Sequence, residues 1–321
     1  MVRFVDNFSA GTRGATSAEY FLENGYAVIF LHREHSLLPY SRHYSHSTNC
    51  FLDYMSLSAS GTVEVNEEWQ ERMGAVLGQY ADARREGKLL LVSYTTVNDY
   101  LWELREMAVL MQPLQSRALF YLAAAVSDFF IPKERMVEHK IQSSEDFNAR
   151  TRTVNGDAGK EPAARIEGQR LVIDLDPVPK FLKQLVDGWA PEGMIVSFKL
   201  ETDPALLVKK AQYALKKYSH HLVIGNLLST RKWEVVFVSA QRGEQWIRVP
   251  HNRRTRSQAG LPQNVEAVSE ADGNMNGGAL KTAKSEQEAK KVTGEPSIEI
   301  ESLIIPEVAS LHDEHIKGSK R

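Results

Sequence analysis

The stretch 120–144, FYLAAAVSDFFIPKERMVEHKIQSS, constrains the fold more than any other part of the sequence. Residues 120–126 form a short apolar run that is followed by Ser127 and Asp128. This pattern is typical of a buried parallel strand that presents polar side chains at its carboxyl end. Open α/β sheets bind ligands at that edge. The three alanines at 123–125 would let a flat ligand approach the backbone, and a helix packed tightly over an alanine patch is the alternative interpretation.

The polar stretch that follows Pro132 has no apolar periodicity and carries His139 and Lys140. A segment of this kind, with one cation beside a ligand site, has the features of a mobile lid. We therefore expect Lys140 to reach the site from such a lid rather than from a strand of the sheet.

Apolar periodicity predicts alternating strands and helices along most of the remaining chain. A Gly-bearing loop with Ser9 and Gly11 precedes the first helix, and Thr96 and Asp203 are predicted helix N-caps. The alternation predicts a doubly wound α/β sheet. The predicted strands are 26–31, 89–95, 120–126, 140–144, 171–175, 194–199, 222–226 and 234–239, and the predicted helices are 16–24, 65–85, 97–111, one from Pro179, one from Asp203–Pro204 and a last one within 298–315.

Composition excludes several classes of protein. The 321 residues carry a formal charge of −2, which argues against a nucleic-acid or membrane-surface partner. The single cysteine, Cys50, excludes an internal disulfide framework. Neither a secretory signal nor an apolar run long enough for a membrane helix is present. These features favour a cytoplasmic protein, with the nucleus as the alternative location.

Two polar stretches divide the chain. Residues 1–242 are predicted to form the principal domain, within which 145–170 is a flexible insertion. Residues 243–296, rich in Gly, Asn, Ser, Lys and Glu, are predicted to be a disordered insertion. Residues 297–321 are predicted to contain a helix that docks back on the same domain.

Histidines cluster between residues 32 and 62. His32 and His35 have an H-x-x-H spacing, and His43 and His46 follow. No nearby set of carboxylates or thiolates completes a closed coordination site, so the pattern favours a solvated loop over a metal centre.

Three motifs carry a resemblance to a known family. DNFSAGTRGATSAEYF, AAAVSDF with EHKIQSS, and SFKLETD occur in the order found in eukaryotic phosphopantothenate–cysteine ligases. The resemblance is collinear from Val2 to about Val238 and resumes near Ile298. It implies a Rossmann-like three-layer sheet with a hairpin arm that pairs two subunits into a homodimer.

The resemblance also implies a reaction and its residues. Such ligases activate 4'-phosphopantothenate as an acyl-nucleotide and then join it to cysteine, using ATP or CTP with Mg²⁺. Lys140 matches the catalytic lysine, and Asn7 matches an asparagine that contacts the intermediate. The residues that match or line the substrate and nucleotide site are Ser9, Gly11, Ala124, Ala125, Asp128, Phe198 and Asn226.

Helix 204–218 bears on the choice of nucleotide. Bacterial relatives that favour CTP carry two lysines on this helix, whereas Ala214 and Tyr218 stand at those places here. The resemblance therefore favours ATP, with CTP as the alternative.

The family has a strand upstream that ends in a TSGGT-like turn, and residues 1–321 begin after it. Because that strand runs through the middle of a doubly wound sheet, we expect residues 1–321 to be a poor enzyme unless an N-terminal extension supplies it.

Two other classes of function are alternatives. A nicotinamide-dependent oxidoreductase could use the same sheet, but no G-x-G-x-x-G opens a βαβ unit. A non-catalytic binding or scaffold homologue would retain the fold without turnover. Pyrophosphate release that requires phosphopantothenate separates the ligase from both.

Overall fold

The computed structural model describes residues 9–45, 50–132, 135, 163–167, 170–250 and 295–319, along which strands and helices alternate. The helices are α1 (Thr12–Glu23), α2 (Glu67–Arg85), α3 (Val97–Met111), α4 (Phe181–Gln184, continued by a π-helical turn, Leu185–Trp189), α5 (Pro204–Tyr218) and α6 (Glu301–Gly318). The strands are β1 (Val28–Arg33), β2 (Met55–Leu57), β3 (Val63–Val65), β4 (Leu89–Tyr94), β5 (Leu119–Leu122), β6 (Phe129–Phe130), β7 (Ala164–Glu167), β8 (Arg170–Ile173), β9 (Asp176–Pro177), β10 (Met194–Glu201), β11 (Leu222–Leu227), β12 (Glu234–Ser239) and β13 (Gly243–Arg248).

Five strands form the largest described sheet, in the order β13-β12-β11-β10-β5. β5, β10 and β11 are parallel, and β12 and β13 extend the sheet in antiparallel fashion. The predicted α/β class is confirmed, with an antiparallel flank added to the parallel part.

β1 and β4 form a second, separate parallel pair. Among the described residues, β1 has β4 as its single partner strand, and β5 has β10 as its single partner strand. α1 contacts strands of both sheets, because its Phe21 packs on Tyr121 of β5 while its Leu22 packs beside Val28 of β1.

The hydrophobic core lies on both faces of the five-stranded sheet, since successive strand residues point to opposite faces. Val196 and Ile224 pack with Ile304 and Val308 of α6 on one face. Leu104 of α3 and Leu185 pack against Phe120 and Ile195 on the other. Burial of each such side chain stabilises the fold by about 1.5–3 kcal/mol.

α5 lies very close to the sheet. Its Leu207 and Ala211 are buried against Val223 and Val236. A Cβ at Gly225 would stand 2.9 Å from Val236 Cγ1 and 3.1 Å from Leu207 Cδ1, so only glycine fits there without displacement. The lysines of α5 point away from the sheet, as its charge pattern predicted.

The predicted helix N-caps at Thr96 and Asp203 are confirmed. The Thr96 hydroxyl accepts a hydrogen bond from Asp99 N at 3.2 Å, and the Asp99 carboxylate accepts one from Thr96 N at 2.9 Å. The Asp203 carboxylate accepts from Ala205 N at 2.9 Å, with Pro204 in the first turn. Both caps satisfy backbone donors that a helix start leaves unpaired.

Several predicted boundaries are wrong. α1 begins at Thr12 rather than residue 16, because Gly11, at φ 80°, ends the preceding loop earlier. β5 ends at Leu122 rather than residue 126, because its ladder with β10 ends there.

Two stretches predicted to lack structure contain strands. β13 occupies the first residues of 243–296 and pairs with β12 over its whole length. β7 lies inside 145–170 and pairs with β8, so the described hairpin is 164–173, whereas the predicted strand 140–144 lies outside the described residues. Among the described helices none is both long and apolar enough to cross a membrane.

Candidate active site

The alanine run follows the end of β5 and lies outside the described strands. The ladder with β10 ends at the pair Leu122 and Ser197. Ala124 and Ala125, which follow, are exposed. Apart from a 3.1 Å bond from Val126 N to Ala124 O, their peptide groups are not used by a described strand ladder. Their small side chains therefore leave backbone donors and acceptors accessible.

Asp128 lies at the next turn, with its carboxylate exposed. Its position is fixed by the backbone, because Val178 N donates to Asp128 O at 2.9 Å and Phe129 pairs with Pro177. Ser127 Oγ accepts from Phe129 N at 3.2 Å. The main chain thus holds Asp128 in place and leaves its carboxylate available to a ligand.

Phe198 of β10 and Asn226 of β11 are diagonal neighbours in the carboxyl-terminal halves of their strands. In the register Phe198 pairs with Ile224, and Leu200 pairs with Asn226, so the two side chains share one face of the sheet. The Phe198 ring packs on the core and is partly exposed. The aromatic residue therefore belongs to the core while part of it remains accessible.

Asn226 is only 6% exposed. None of the hydrogen bonds between described residues involves its side-chain amide. The amide atoms are not among the fully buried side-chain atoms without a partner, so the amide keeps some contact with solvent, which a polar ligand can replace.

The loop before α1 brings Ser9 and Gly11 to the amino end of that helix. Ser9 Oγ accepts from Gly11 N at 3.3 Å, and Leu37 N donates to Ala10 O at 2.9 Å. Gly11 is required because a Cβ there would stand 2.8 Å from Ser36 Cβ and φ is positive. No side chain caps α1, and its first turn contains no acidic residue. The free N–H groups of this turn suit an anionic ligand.

Arg13 is a residue of this region that sequence reasoning missed. Its guanidinium donates to Glu301 Oε1 at 2.7 Å and to Arg231 O at 2.5 Å. These bonds join the start of α1 to α6 and to the turn after β11. Burial raises the pKa of Glu301, and the charge of Arg13 opposes that rise.

A second cluster lies on the opposite face of β10. Glu201 Oε2 contacts Lys210 Nζ at 2.7 Å, and Glu201 Oε1 lies 3.6 Å from Lys199 Nζ. Lys217, further along α5, lies 5.3 Å from the ring centroids of Tyr213 and Tyr218. The lysine pattern predicted a solvated face but did not reveal these partners.

The predicted catalytic residues Asn7 and Lys140 lie outside the described residues. Of the other predicted site residues, Phe198 and Asn226 share one face of the sheet, and Ala124, Ala125 and Asp128 lie along one loop. Ser9 and Gly11 stand at the amino end of α1.

The histidines of the 32–62 region have other contacts. His43 Nε2 lies 3.0 Å from Glu19 Oε2, and His32 Nδ1 lies 2.9 Å from Arg33 O. Over the ranges that the structure covers, no group of three or more His, Cys, Asp or Glu residues could hold a metal ion. His46 lies outside those ranges.

Comparisons with known proteins place these features in one family. No family model matches the chain. The chain is 48% identical over 264 residues to phosphopantothenate–cysteine ligase CAB2 of Saccharomyces cerevisiae, a match that covers 82% of this chain and 70% of that protein. It is 41% identical over 243 residues to the phosphopantothenate–cysteine ligase of Homo sapiens, covering 74% and 70%.

A solved structure is also similar. A Cab2 mutant in complex with phosphopantothenate-cysteine shares 42% identity with a TM-score of 0.74, and the match covers 100% of this chain and 83% of that chain. Identity of this level over most of both chains accounts for the three motifs and for the α/β fold together. The chain belongs to the phosphopantothenate–cysteine ligase family.

Proposed function

We propose that this chain is a phosphopantothenate–cysteine ligase of coenzyme A biosynthesis, which activates 4'-phosphopantothenate with a nucleoside triphosphate and couples it to cysteine. The observation that carries the proposal is 48% identity over 82% of the chain to a ligase of this kind. The position of Phe198 and of the Asn226 side chain on one face of neighbouring parallel strands supports it.

The chemistry requires an activated acyl group, because amide formation from a carboxylate is uphill in water. The carboxylate oxygen of phosphopantothenate attacks the α-phosphorus of the nucleotide, and pyrophosphate leaves. The amine of cysteine then attacks the acyl carbon, loses a proton, and displaces the nucleoside monophosphate. Negative charge grows on the α-phosphoryl oxygens in the first step, so a positioned cation stabilises it. Lys140 supplies that cation.

The nucleotide binds along the loop after β5 and the carboxyl ends of β10 and β11. Phe198 contacts the base, and Asp128 hydrogen-bonds the ribose or the base. Ala124 and Ala125 offer backbone groups, and Asn226 offers its side-chain amide. ATP is the nucleotide, because Ala214 and Tyr218 stand where the CTP-preferring relatives have lysines.

The acyl intermediate lies near the amino end of α1. Asn7 contacts it, and Ser9 and Gly11 shape the loop whose N–H groups donate to an anion. Binding at a helix start avoids the need for a strongly basic protein, which the net charge of −2 does not provide.

Mg²⁺ accompanies the nucleotide. The carboxylates of the described site are too few to hold an ion unaided, which fits an ion held chiefly by phosphate oxygens. When bound, the ion neutralises charge on those oxygens.

The fold is a Rossmann-like three-layer sheet, and the enzyme acts as a cytoplasmic homodimer. The packing of α1 and α6 on one face of the five-stranded sheet, and of α3 and α5 on the other, supports the layering. The β7–β8 hairpin is the described part of the arm that would pair two subunits.

Steady-state pyrophosphate release, measured in parallel with ATP and CTP, tests the proposal. We expect release to require phosphopantothenate, amide product to require cysteine, and ATP to be preferred. Release without phosphopantothenate would contradict the proposal. A folded protein that binds ATP but never turns over would identify a scaffold homologue, and binding of NAD(P) instead would indicate an oxidoreductase.

A further inference from the structure

Three aromatic rings form a row that ends at Phe198. Phe21 of α1 meets Tyr121 of β5 edge-to-face, with centroids 5.1 Å apart and planes at 81°. Tyr121 meets Phe198 of β10 in the same way, at 5.1 Å and 77°. Tyr121 pairs in register with Val196, so Phe198 is its diagonal neighbour on the same face. The row thus connects α1 to the candidate base-binding ring.

The middle ring of the row is fixed at its polar end as well. The hydroxyl groups of Tyr121 and Ser17 lie 3.0 Å apart, within hydrogen-bond distance. Ser17 is on α1 and is only 1% exposed, so water does not compete for this bond. Burial raises the pKa of Tyr121, which keeps its hydroxyl protonated.

Fixing Tyr121 restricts Phe198. An edge-to-face pair depends on the relative tilt of its two rings, so rotating the Phe198 ring out of this tilt would lose the contact with Tyr121. Stacking on a nucleobase likewise needs a ring plane parallel to the base. Because Tyr121 is held by Phe21 on one side and by Ser17 at its hydroxyl, it holds Phe198 in one orientation at the partly exposed edge.

We propose that Tyr121 and Ser17 are positioning residues that orient Phe198 to receive the base of the nucleoside triphosphate. This inference rests on the proposed function, in which Phe198 contacts that base. Neither residue touches the nucleotide. They act through Phe198, and their hydrogen bond also links the orientation of that ring to α1, whose first turn lies beside the substrate loop.

Two substitutions remove the bond from opposite ends. Tyr121→Phe keeps the ring and Ser17→Ala keeps the helix, so both variants should fold. We expect each to weaken ATP binding about three- to tenfold, the scale of one hydrogen bond. The double variant should be no weaker than either single variant. In each variant the KM for ATP should rise together with the dissociation constant for ATP, while kcat and the KM for cysteine stay within about twofold of the parent values.

Tyr26→Phe is the matched control. Tyr26 also meets Phe21 edge-to-face at 5.1 Å, and its hydroxyl lies 3.0 Å from His312 Nδ1. Its described ring contacts are with Phe21 and His312. The same atom is therefore deleted from the same kind of ring, and we expect a similar loss of melting temperature without a change in the dissociation constant for ATP.

Equilibrium titration with ATP gives a readout that does not depend on turnover. Unchanged ATP affinity in Tyr121→Phe and Ser17→Ala would overturn the inference, as would an equal loss in Tyr26→Phe. A Phe198→Leu variant separates this failure from that of the proposed function. If Phe198→Leu leaves ATP affinity unchanged, the base site itself is wrong. If it weakens ATP and Tyr121→Phe still has its full effect in that background, Tyr121 does not act through Phe198.

Discussion

Arg42 and Glu19 form a buried, two-point ion pair. Arg42 Nε lies 2.8 Å from Glu19 Oε1, and Arg42 Nη2 lies 2.7 Å from Oε2. The two side chains are 9% and 8% exposed. Arg42 also binds both oxygens of Glu299, just before α6, so one guanidinium joins α1, the turn around residue 42 and the C-terminal helix. Although burial works against ionisation of Glu19, the hydrogen bonds from His43 and Arg42 prevail and lower its pKa.

We expect Glu19→Gln to lower the free energy of unfolding by about 3 kcal/mol or more, because it leaves a buried guanidinium with one carboxylate instead of two. Glu307→Gln is the control, since it breaks a more exposed pair with Arg242 at 2.7 Å and should cost at most about 1 kcal/mol. Urea unfolding measures both. Equal losses in the two variants would show that the Arg42 pair contributes no more than a surface contact.

Two adjacent histidines make stability depend on pH. Burial, the larger cause, and neighbouring histidines lower the pKa of His220 and of His221 from 6.5 to about 4. Below about pH 6.5 both histidines therefore bind protons in the unfolded chain, whereas in the folded chain they stay neutral until the pH approaches 4. The stability contributed by the neutral rings is complete above that pH and is lost as the pH falls toward 4.

Between pH 6.5 and 5 we expect the free energy of unfolding to fall by up to roughly 2–3 kcal/mol per pH unit, the limit for two protons. His221→Gln should reduce this slope by about the contribution of one proton. It removes the ring that accepts a hydrogen bond from Ile195 N at 3.1 Å and whose centroid lies 4.6 Å from that of His315. His35→Gln, at an exposed position, should leave the slope unchanged. An unaltered slope in His221→Gln would assign the pH dependence to other groups.

Local sequence predicted those parts of the fold that local interactions determine. The caps at Thr96 and Asp203 depend on residues within three positions of the helix start, and both are found as predicted. The predicted end of β5 was wrong because a strand ends where its pairing with the neighbouring strand ends. Residues 123–126 remain apolar beyond that point, so the sequence does not mark it. β13 was missed because its composition is polar, and an edge strand needs few buried residues.

Long-range ion pairs were not predictable at all. Arg13 binds a carboxylate 288 residues away and Arg42 one 257 residues away. Nothing in the neighbourhood of either arginine distinguishes it from a solvated one. The candidate site residues were predicted from motifs, whereas the hydrogen bond of Tyr121 with Ser17 required the relative position of α1 and β5.

The position of β13 changes what can be removed from the polar stretch before α6. Deleting 251–294 keeps β13 and should leave melting temperature and activity close to those of the parent. Val249 N donates to Trp233 O at 2.8 Å, and Lys232 binds Glu295 at 2.6 Å, so the two ends of the deletion lie near each other and a short linker can close it.

Deleting 243–296 instead removes β13 and exposes the edge of β12, which contains the buried Val236 and Val238. We expect this longer deletion to destabilise the protein and to promote aggregation. Thermal unfolding and size-exclusion chromatography compare the two variants. A large loss of stability in the shorter deletion would show that 251–294 packs on the domain.

Lys140→Ala tests the proposed chemistry directly. The residue lies outside the described part of the chain, so its role rests on the EHKIQSS motif and on the need for a cation while charge grows on the α-phosphoryl group. A contact made only in the transition state lowers kcat when removed and leaves ground-state binding intact. We expect pyrophosphate release to fall about 10²-fold or more, with ATP affinity and melting temperature near those of the parent.

The control is Lys217→Ala, which removes an exposed lysine that lies over the rings of Tyr213 and Tyr218 and should retain full activity. Near-normal release from Lys140→Ala in a single-turnover measurement would remove Lys140 from the mechanism, and a parallel loss of ATP affinity would make it a binding residue instead.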